Sequence, residues 1–262
     1  MPHRIPGAPP RLDGFSCIRP LGAGGFADVF LCEQDLPLRQ VAVKVLRSEA
    51  LTPDGFAAFR SEADLLAALG GGVPVVSLYE VGICDGGRPY LAMEYCPGRL
   101  RVTPEPFEAV RAVALVIPVA GAVAELHRLG AVHRDLKPGN VFLTGEGAPR
   151  LGDFGLAVRL SGLADAPVGV SGRWTAPEVR SGVSCGSPAA DVWSLGRILE
   201  VLLSGSRGRI RPRELPDGLR DILVRATRRN AGERYPDAGA LVSDLKSWAA
   251  RSASRSERRR SS

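Results

Sequence analysis

HRDLKPGN, residues 133–140, and DFG, residues 153–155, decide how this sequence is read. The first stretch gathers a carboxylate (Asp135), an ammonium (Lys137) and an amide (Asn140) into one short loop, and Asp153 follows Asn140 by 13 residues. That combination suits phosphoryl transfer. The reaction needs a base to orient a hydroxyl, a cation for the moving phosphate, and oxygen ligands for a divalent metal. The plain alternative for such an octet is a polar turn.

Working outward, the lysine count sharpens the reading. Of 34 basic residues only Lys44, Lys137 and Lys246 are lysine. A position that needs a compact ammonium rather than a planar fork cannot drift to arginine, so each lysine is informative. Lys44 sits in QVAVKVL, residues 40–46, a β-branched run that predicts a strand. Glu62 lies 18 residues later in FRSEADLL, inside a predicted helix, and is a candidate partner for Lys44. The bland readings are a surface lysine on an edge strand and a solvated helical glutamate.

Further upstream, Leu21–Phe30 reads LGAGGFADVF. Glycines between two strands let backbone N–H groups approach a phosphate, although taken alone this is more often a turn. No helix follows, and G-K-[ST] is absent. The stretch is therefore neither a Rossmann fingerprint nor a Walker A loop.

The remaining pattern divides the chain in two. Strands are predicted at Phe15–Leu21, Ala27–Cys32, Gln40–Leu46, Val75–Ile83 and Arg88–Tyr95. One helix is predicted among them, with Thr52 as N-cap, Pro53 at its first position and Gly70-Gly71-Gly72 at its end. Beyond Pro104 the pattern is mostly helical: Glu108–Leu129 with a kink at Pro118, Pro188–Leu203, Leu219–Arg229 and Asp237–Ala249. Short strands are predicted at Val141–Leu143 and Arg150–Leu151. The fold class is α+β. Residues 1–11 are expected to be a flexible leader, and 249–262 a disordered basic Arg/Ser tail.

Composition excludes several classes. At 262 residues, 45% hydrophobic and 24% charged, the chain can bury a substantial core and is neither disordered nor fibrous. Its longest apolar run, Ala112–Ala124, holds Pro118 and Gly121, so no transmembrane segment is expected. MPHRIPGAPP at the start has no apolar h-region. Five scattered cysteines (17, 32, 84, 96 and 185) without a C-x-x-C pair fit a reducing, cytoplasmic compartment. The net charge of +6 suggests nucleic acid, but the tail from Arg251, with five arginines and one glutamate, supplies most of it. No aromatic-basic interleaving appears, so nucleic-acid binding is not expected.

Taken together, the glycine loop, AVK at 42–44, HRDLKPGN, DFG, APE at 176–178, DVWSLG at 191–196 and GERYPDA at 232–238 resemble the protein-kinase family. The closest likeness is to bacterial Hanks-type serine/threonine kinases. The resemblance covers about residues 12–248, with the motifs in family order. It implies a bilobal fold with a β-rich N-lobe at 12–95 and an α-rich C-lobe at 96–248. It implies ATP with Mg²⁺ or Mn²⁺, protein substrates and a signalling role, with autophosphorylation and a homodimer left open.

By the same resemblance, Leu21, Gly22, Ala23, Gly24 and Gly25 would cover the nucleotide phosphates. Lys44 would hold the α- and β-phosphates and pair with Glu62. Asp135 would orient the substrate hydroxyl and take its proton. Lys137 would neutralise the γ-phosphate, and Asn140 and Asp153 would hold the metal. Val29, Ala42 and Phe142 would enclose adenine, with Met93 as gatekeeper and the backbone of Glu94 and Cys96 at the adenine edge. Asp191 would tie down the catalytic-loop backbone. Glu178 and Arg234 would form a structural ion pair. His127 and His3 are assigned no role, and His127 reads as structural.

Several features depart from the family pattern. Ala27 stands for the third loop glycine. Residues 97–104 are too short for the helix after the hinge, and with it goes a ribose-binding acid. SGSRGRIRPREL, residues 204–215, lacks the length and periodicity of another C-lobe helix, so the C-lobe is expected to be shortened. Val170 replaces a usual glycine, and Ser171 stands where the family has a threonine near the catalytic aspartate. Ser161 is the one mid-segment phosphosite candidate, and Arg134 could receive a phosphate there. Two other readings stay open: a weakly active or non-catalytic scaffold of the same fold, and a small-molecule kinase.

Overall fold

The computed structural model describes residues 5–162, 171–205 and 214–260. His3, Val170 and residues 206–213 of the short C-lobe segment lie outside the described residues. The chain divides into two compact units. One takes the described residues up to Gly71 together with Val75–Pro97; the other takes Gly72–Pro74 and the described residues from Gly98 on.

The first unit is built on one antiparallel sheet of five strands in the order β1-β2-β3-β5-β4. They are β1 (Phe15–Ala23), β2 (Ala27–Asp35), β3 (Leu38–Leu46), β4 (Leu78–Cys84) and β5 (Arg88–Glu94). Side chains alternate across β3. Val41, Val43 and Val45 join Phe30, Cys32, Tyr90 and Ala92 in one buried cluster. Ala42 and Lys44 turn to the opposite face. Lys44 lies opposite Val29 and Leu91, and Ala42 opposite Leu31 and Met93. Opposed residues share a face, so Val29, Ala42, Lys44 and Met93 stand together. The strand expected from Val75 begins only at Leu78; Val75 makes a single isolated bridge, and Val75 and Val76 are buried ahead of the strand.

Helix α1 (Pro53–Ala68) starts where its capping residues predict. The Thr52 hydroxyl accepts the Gly55 N–H at 3.1 Å. Its buried face carries Gly55, Phe59, Glu62, Ala63 and Leu66, the spacing of a helix stripe. Gly55 is required there, since a Cβ would stand 2.1 Å from the Ala50 carbonyl oxygen. A carboxylate on that buried stripe needs a partner.

The leader makes two contacts that its sequence does not announce: the Gly7 N–H donates to Asp28 at 3.1 Å, and Pro10 is buried. Asp28 is itself buried and also accepts from Arg47 at 2.8 Å. An isolated carboxylate there would be costly, and the leader backbone satisfies its second oxygen.

The second unit is mainly helical: α2 (Ala109–Arg128), α3 (Pro177–Arg180), α4 (Pro188–Ser204), α5 (Leu219–Ala226) and α6 (Ala238–Arg260). Short strands β6 (Gly98–Arg99), β8 (Val141–Leu143) and β9 (Pro149–Leu151) form one small sheet. β7 (Ala131–Val132) pairs with β10 (Val158–Arg159). α2 continues through Pro118 and packs on α6 and α4 by a stripe that includes Ala112, Val116, Val119, Val123 and Leu126. By length and composition alone it could cross a membrane, with a mean hydropathy of 1.9 over its apolar window, yet that stripe is spent inside the unit. Gly196 lets α4 approach α5, because a Cβ would come within 2.8 Å of Thr227. No α-helix appears between β5 and α2, nor among the described residues between α4 and α5.

The tail also corrects an expectation. α6 runs on to Arg260, through residues expected to be disordered. Leu245 and Trp248 anchor the helix in the core. Beyond them Ala249, Ala250, Ala253 and the arginines are good helix formers with no proline or glycine among them.

Candidate active site

In the first unit, Lys44 donates to both carboxylate oxygens of Glu62 at 2.7 Å. The lysine side chain is 15% exposed and the glutamate 3%. The sheet face fixes Lys44 and the buried stripe of α1 fixes Glu62, so neither has to be recruited from solvent. Beside them β1 runs through Leu21, Gly22 and Ala23, with Gly22 opposite Val29 and Ala23 opposite Asp28. Gly24 and Gly25 make the turn, in which the Gly24 N–H donates to the Ala27 carbonyl at 2.8 Å. Met93 and Cys96 are buried. The Glu94 N–H donates to the Ser77 carbonyl at 2.8 Å, and its carboxylate accepts from Ser77.

In the second unit, β7 delivers the chain into the loop 133–140, and the β8–β9 hairpin leads to 153–155. Asp135 is the centre of that loop. Its Oδ2 accepts from the Lys137 ammonium at 2.7 Å and from the Asn140 amide at 3.0 Å. Its Oδ1 accepts from the Ser171 hydroxyl. Asn140 also donates to the Asp135 carbonyl at 2.8 Å. Both Asn140 donors are thus turned inward, which presents its amide oxygen as the acceptor. Phe142, on β8, lies under the Arg99 guanidinium, 4.7 Å from the ring centre.

Among the described residues of this unit, two hold a left-handed backbone without being glycine: Arg134 at φ 70 and Asp153 at φ 60. Such conformations cost free energy and persist only where surroundings enforce them. For Arg134 the enforcer is Asp191 on α4, which is 1% exposed. Asp191 accepts the backbone N–H groups of His133 at 2.8 Å and Arg134 at 2.9 Å. His127 completes this brace, a part the sequence reading did not find. Its Nδ1 accepts the Ala238 N–H at 3.2 Å, which places the ring hydrogen on Nε2, 3.1 Å from Asp191. His133 packs on Phe154 with ring centres 4.9 Å apart. Burial holds the Arg134 guanidinium below its ordinary range, against the opposing pull of Cys185 and Asp191.

Glu178 and Arg234 meet as two parallel bonds of 2.7 and 2.8 Å. The other donors of Arg234 reach the carbonyls of Arg228, Ala189 and Arg229. All five guanidinium hydrogens are therefore committed. Burial pushes the Glu178 carboxyl up, but the hydrogen bonds and charge of Arg234 prevail and hold it below the usual carboxylate range. Ser161 sits exposed in a short 3₁₀ turn, Leu160–Gly162.

The oxygen donors suit a small hard cation. Asn140 offers an amide oxygen and Asp153 an exposed carboxylate, which matches Mg²⁺, a metal that takes one or two protein ligands and fills its shell with phosphate oxygens and water. Among the described residues no group of three or more His, Cys, Asp or Glu gathers for a metal, and such a cage is not what Mg²⁺ requires.

Comparison with known proteins agrees in kind. The protein kinase domain family matches residues 15–213. Serine/threonine-protein kinase PknK of Mycobacterium tuberculosis is 38% identical over 210 residues, covering 77% of this chain and 19% of its own. PknL of the same species is 32% identical over 241 residues, 80% of this chain and 59% of its own. PknB of Mycolicibacterium smegmatis is 31% identical over 260 residues, 86% of this chain and 41% of its own. The chain thus spans only part of the length of these relatives.

Proposed function

We propose that this chain, which belongs to the bacterial Hanks-type serine/threonine branch of the protein kinase family, transfers the γ-phosphoryl group of ATP to serine or threonine hydroxyls of proteins, its own included. The observation that carries the reading is the Asp135 carboxylate, held at once by Lys137, Asn140 and Ser171. A carboxylate fixed in this way can orient a hydroxyl without being free to wander.

The residues divide the work. Asp135 positions the substrate hydroxyl and accepts its proton late, as the oxygen bonds to phosphorus and the bond to the bridging oxygen of ADP breaks. Lys137, bonded to Asp135, balances charge on the transferred group. Lys44 holds the α- and β-phosphates, and Glu62 fixes where its ammonium points. Asn140 and Asp153 hold the divalent cation. When bound, Mg²⁺ or Mn²⁺ neutralises the phosphate oxygens and fixes their orientation. Val29, Ala42, Met93 and Phe142 supply apolar surface for adenine, and Leu21–Gly25 supplies backbone for the phosphates. Five free thiols support a reducing, cytoplasmic setting.

The test is transfer from radiolabelled ATP to a mixed protein substrate and to the chain itself, for wild type and Asp135→Asn. The expected loss is about 10²- to 10⁴-fold, the range for a positioned acid–base group. Equal transfer by both proteins would sink the reading.

A further inference from the structure

Cys17 and Cys32 face each other across the first hairpin and have no part in the chemistry above. They are directly opposed in the β1–β2 register. Their sulfurs lie 2.9 Å apart, and the Cys17 thiol also reaches the Pro10 carbonyl at 3.6 Å. Opposed residues of an antiparallel pair stand about 4.5–5.5 Å apart at Cα, inside the span that a disulfide needs. The two thiols are unlike. Cys17 is half-buried, whereas Cys32 is wholly enclosed with Phe30, Val41 and Val43. Burial first, and then the neighbouring Cys17 thiol, push Cys32 well above the ordinary thiol range.

We propose that Cys17 and Cys32 are a redox-active pair, oxidised by a hydroperoxide to a cross-strand disulfide that clamps β1 to β2. The less buried sulfur reacts first: the Cys17 thiol gives up its proton, the thiolate attacks the peroxide O–O bond to give Cys17 sulfenic acid, and that proton leaves with the displaced alkoxide or hydroxide as alcohol or water. The Cys32 sulfur then displaces the sulfenic hydroxyl, and its proton leaves with that hydroxyl as water. Two thiols lose two electrons in total, and one peroxide bond takes them up. The thiol reductants of a reducing compartment would reverse the step.

The clamp acts where the sheet is least secured. β1 is an edge strand paired only with β2, and its ladder is irregular between Cys17 and Arg19 and again between Pro20 and Gly22. Oxidation would tie the base of the hairpin whose tip is Gly24–Gly25, without adding any atom to that tip.

The experiment treats the full reduced chain with hydrogen peroxide, then takes intact mass, a non-reduced peptide map and amide hydrogen exchange. The expected result is a loss of about 2 Da, the two thiol hydrogens. A Cys17–Cys32 cross-linked peptide, reversal by dithiothreitol and slower exchange in β1 should accompany it. Cys17→Ser and Cys32→Ala should each abolish the cross-link, and Cys185→Ser should leave it. Oxygen addition at Cys17 with Cys32 still open to alkylation after unfolding would overturn the proposal. So would a disulfide mapped to any other pair. The wild-type peptide map decides even if Cys32→Ala fails to fold.

Discussion

Two buried ion pairs, one in each unit, look alike in distance and differ in almost everything else. Lys44–Glu62 and Arg234–Glu178 both close at 2.7 Å. Arg234 has no exposed side-chain surface, and every one of its donors ends on a carboxylate or a carbonyl of its own unit. Lys44 is a point charge on a flexible stem, still 15% exposed, standing on the sheet face that also carries Val29, Ala42 and Met93. A saturated planar fork is a strut. A compact ammonium on a flexible stem can be shared with a ligand. In a chain with 34 basic residues and only three lysines, that difference in residue type follows the difference in task.

The contrast can be broken from either side. Arg234→Ala leaves Glu178 half-buried without its cation, and should lower stability by about 3–5 kcal/mol in urea titration. A loss under about 1 kcal/mol would make the pair ornamental. Arg234→Lys keeps the charge but offers three donors in place of five. It should cost about 2 kcal/mol, with transfer unchanged below the unfolding transition. His127→Ala tests the neighbouring brace. It orphans Ala238 N–H and loosens Asp191, so about 1–2 kcal/mol should be lost, together with some transfer activity through the Arg134 backbone. Unchanged stability would remove His127 from the brace.

The smallest effect is a slope. The Glu178 carboxyl is held below its unfolded value, so the native state binds fewer protons than the unfolded chain in acid. Its stabilisation is complete above the unfolded carboxyl pKa of about 4.3 and fades as pH falls through the lower, folded value. Urea midpoints between neutral and acid pH should therefore fall more steeply for wild type than for Glu178→Gln. Parallel profiles would mean that Arg234 does not hold the carboxyl down.

Much of this arrangement was readable because its parts are local. Caps such as Thr52-Pro53 and Ser187-Pro188 begin their helices in the structure, each hydroxyl taking a backbone N–H. The residue types in 133–140 announce a chemical loop before any geometry is known. The approach of Lys44 to Glu62 was legible from a strand, a helix and a scarce residue type. What escaped the sequence depends on long separations or on register. His127 meets Asp191 across 64 residues, and nothing in a helix-face histidine names its partner. Cys17 meets Cys32 only because β1 and β2 pair in one register. The leader's sequence gives no sign of a partner, yet the buried Asp28 recruits its backbone at Gly7. Charge and serine content alone point to a disordered tail, whereas helix propensity and the Trp248 anchor carry α6 onward.

The most direct measurement of the central contrast is a paired one on Lys44→Arg: phosphoryl transfer from ATP and urea unfolding of the same sample. Arginine keeps the charge beside Glu62 but replaces the compact ammonium with a fork. Transfer should fall about 100-fold or more while the unfolding free energy stays within about 1 kcal/mol of wild type. Wild-type transfer, or a loss of activity matched by a loss of stability, would mean that Lys44–Glu62 is a strut like Arg234–Glu178 and not part of the chemistry.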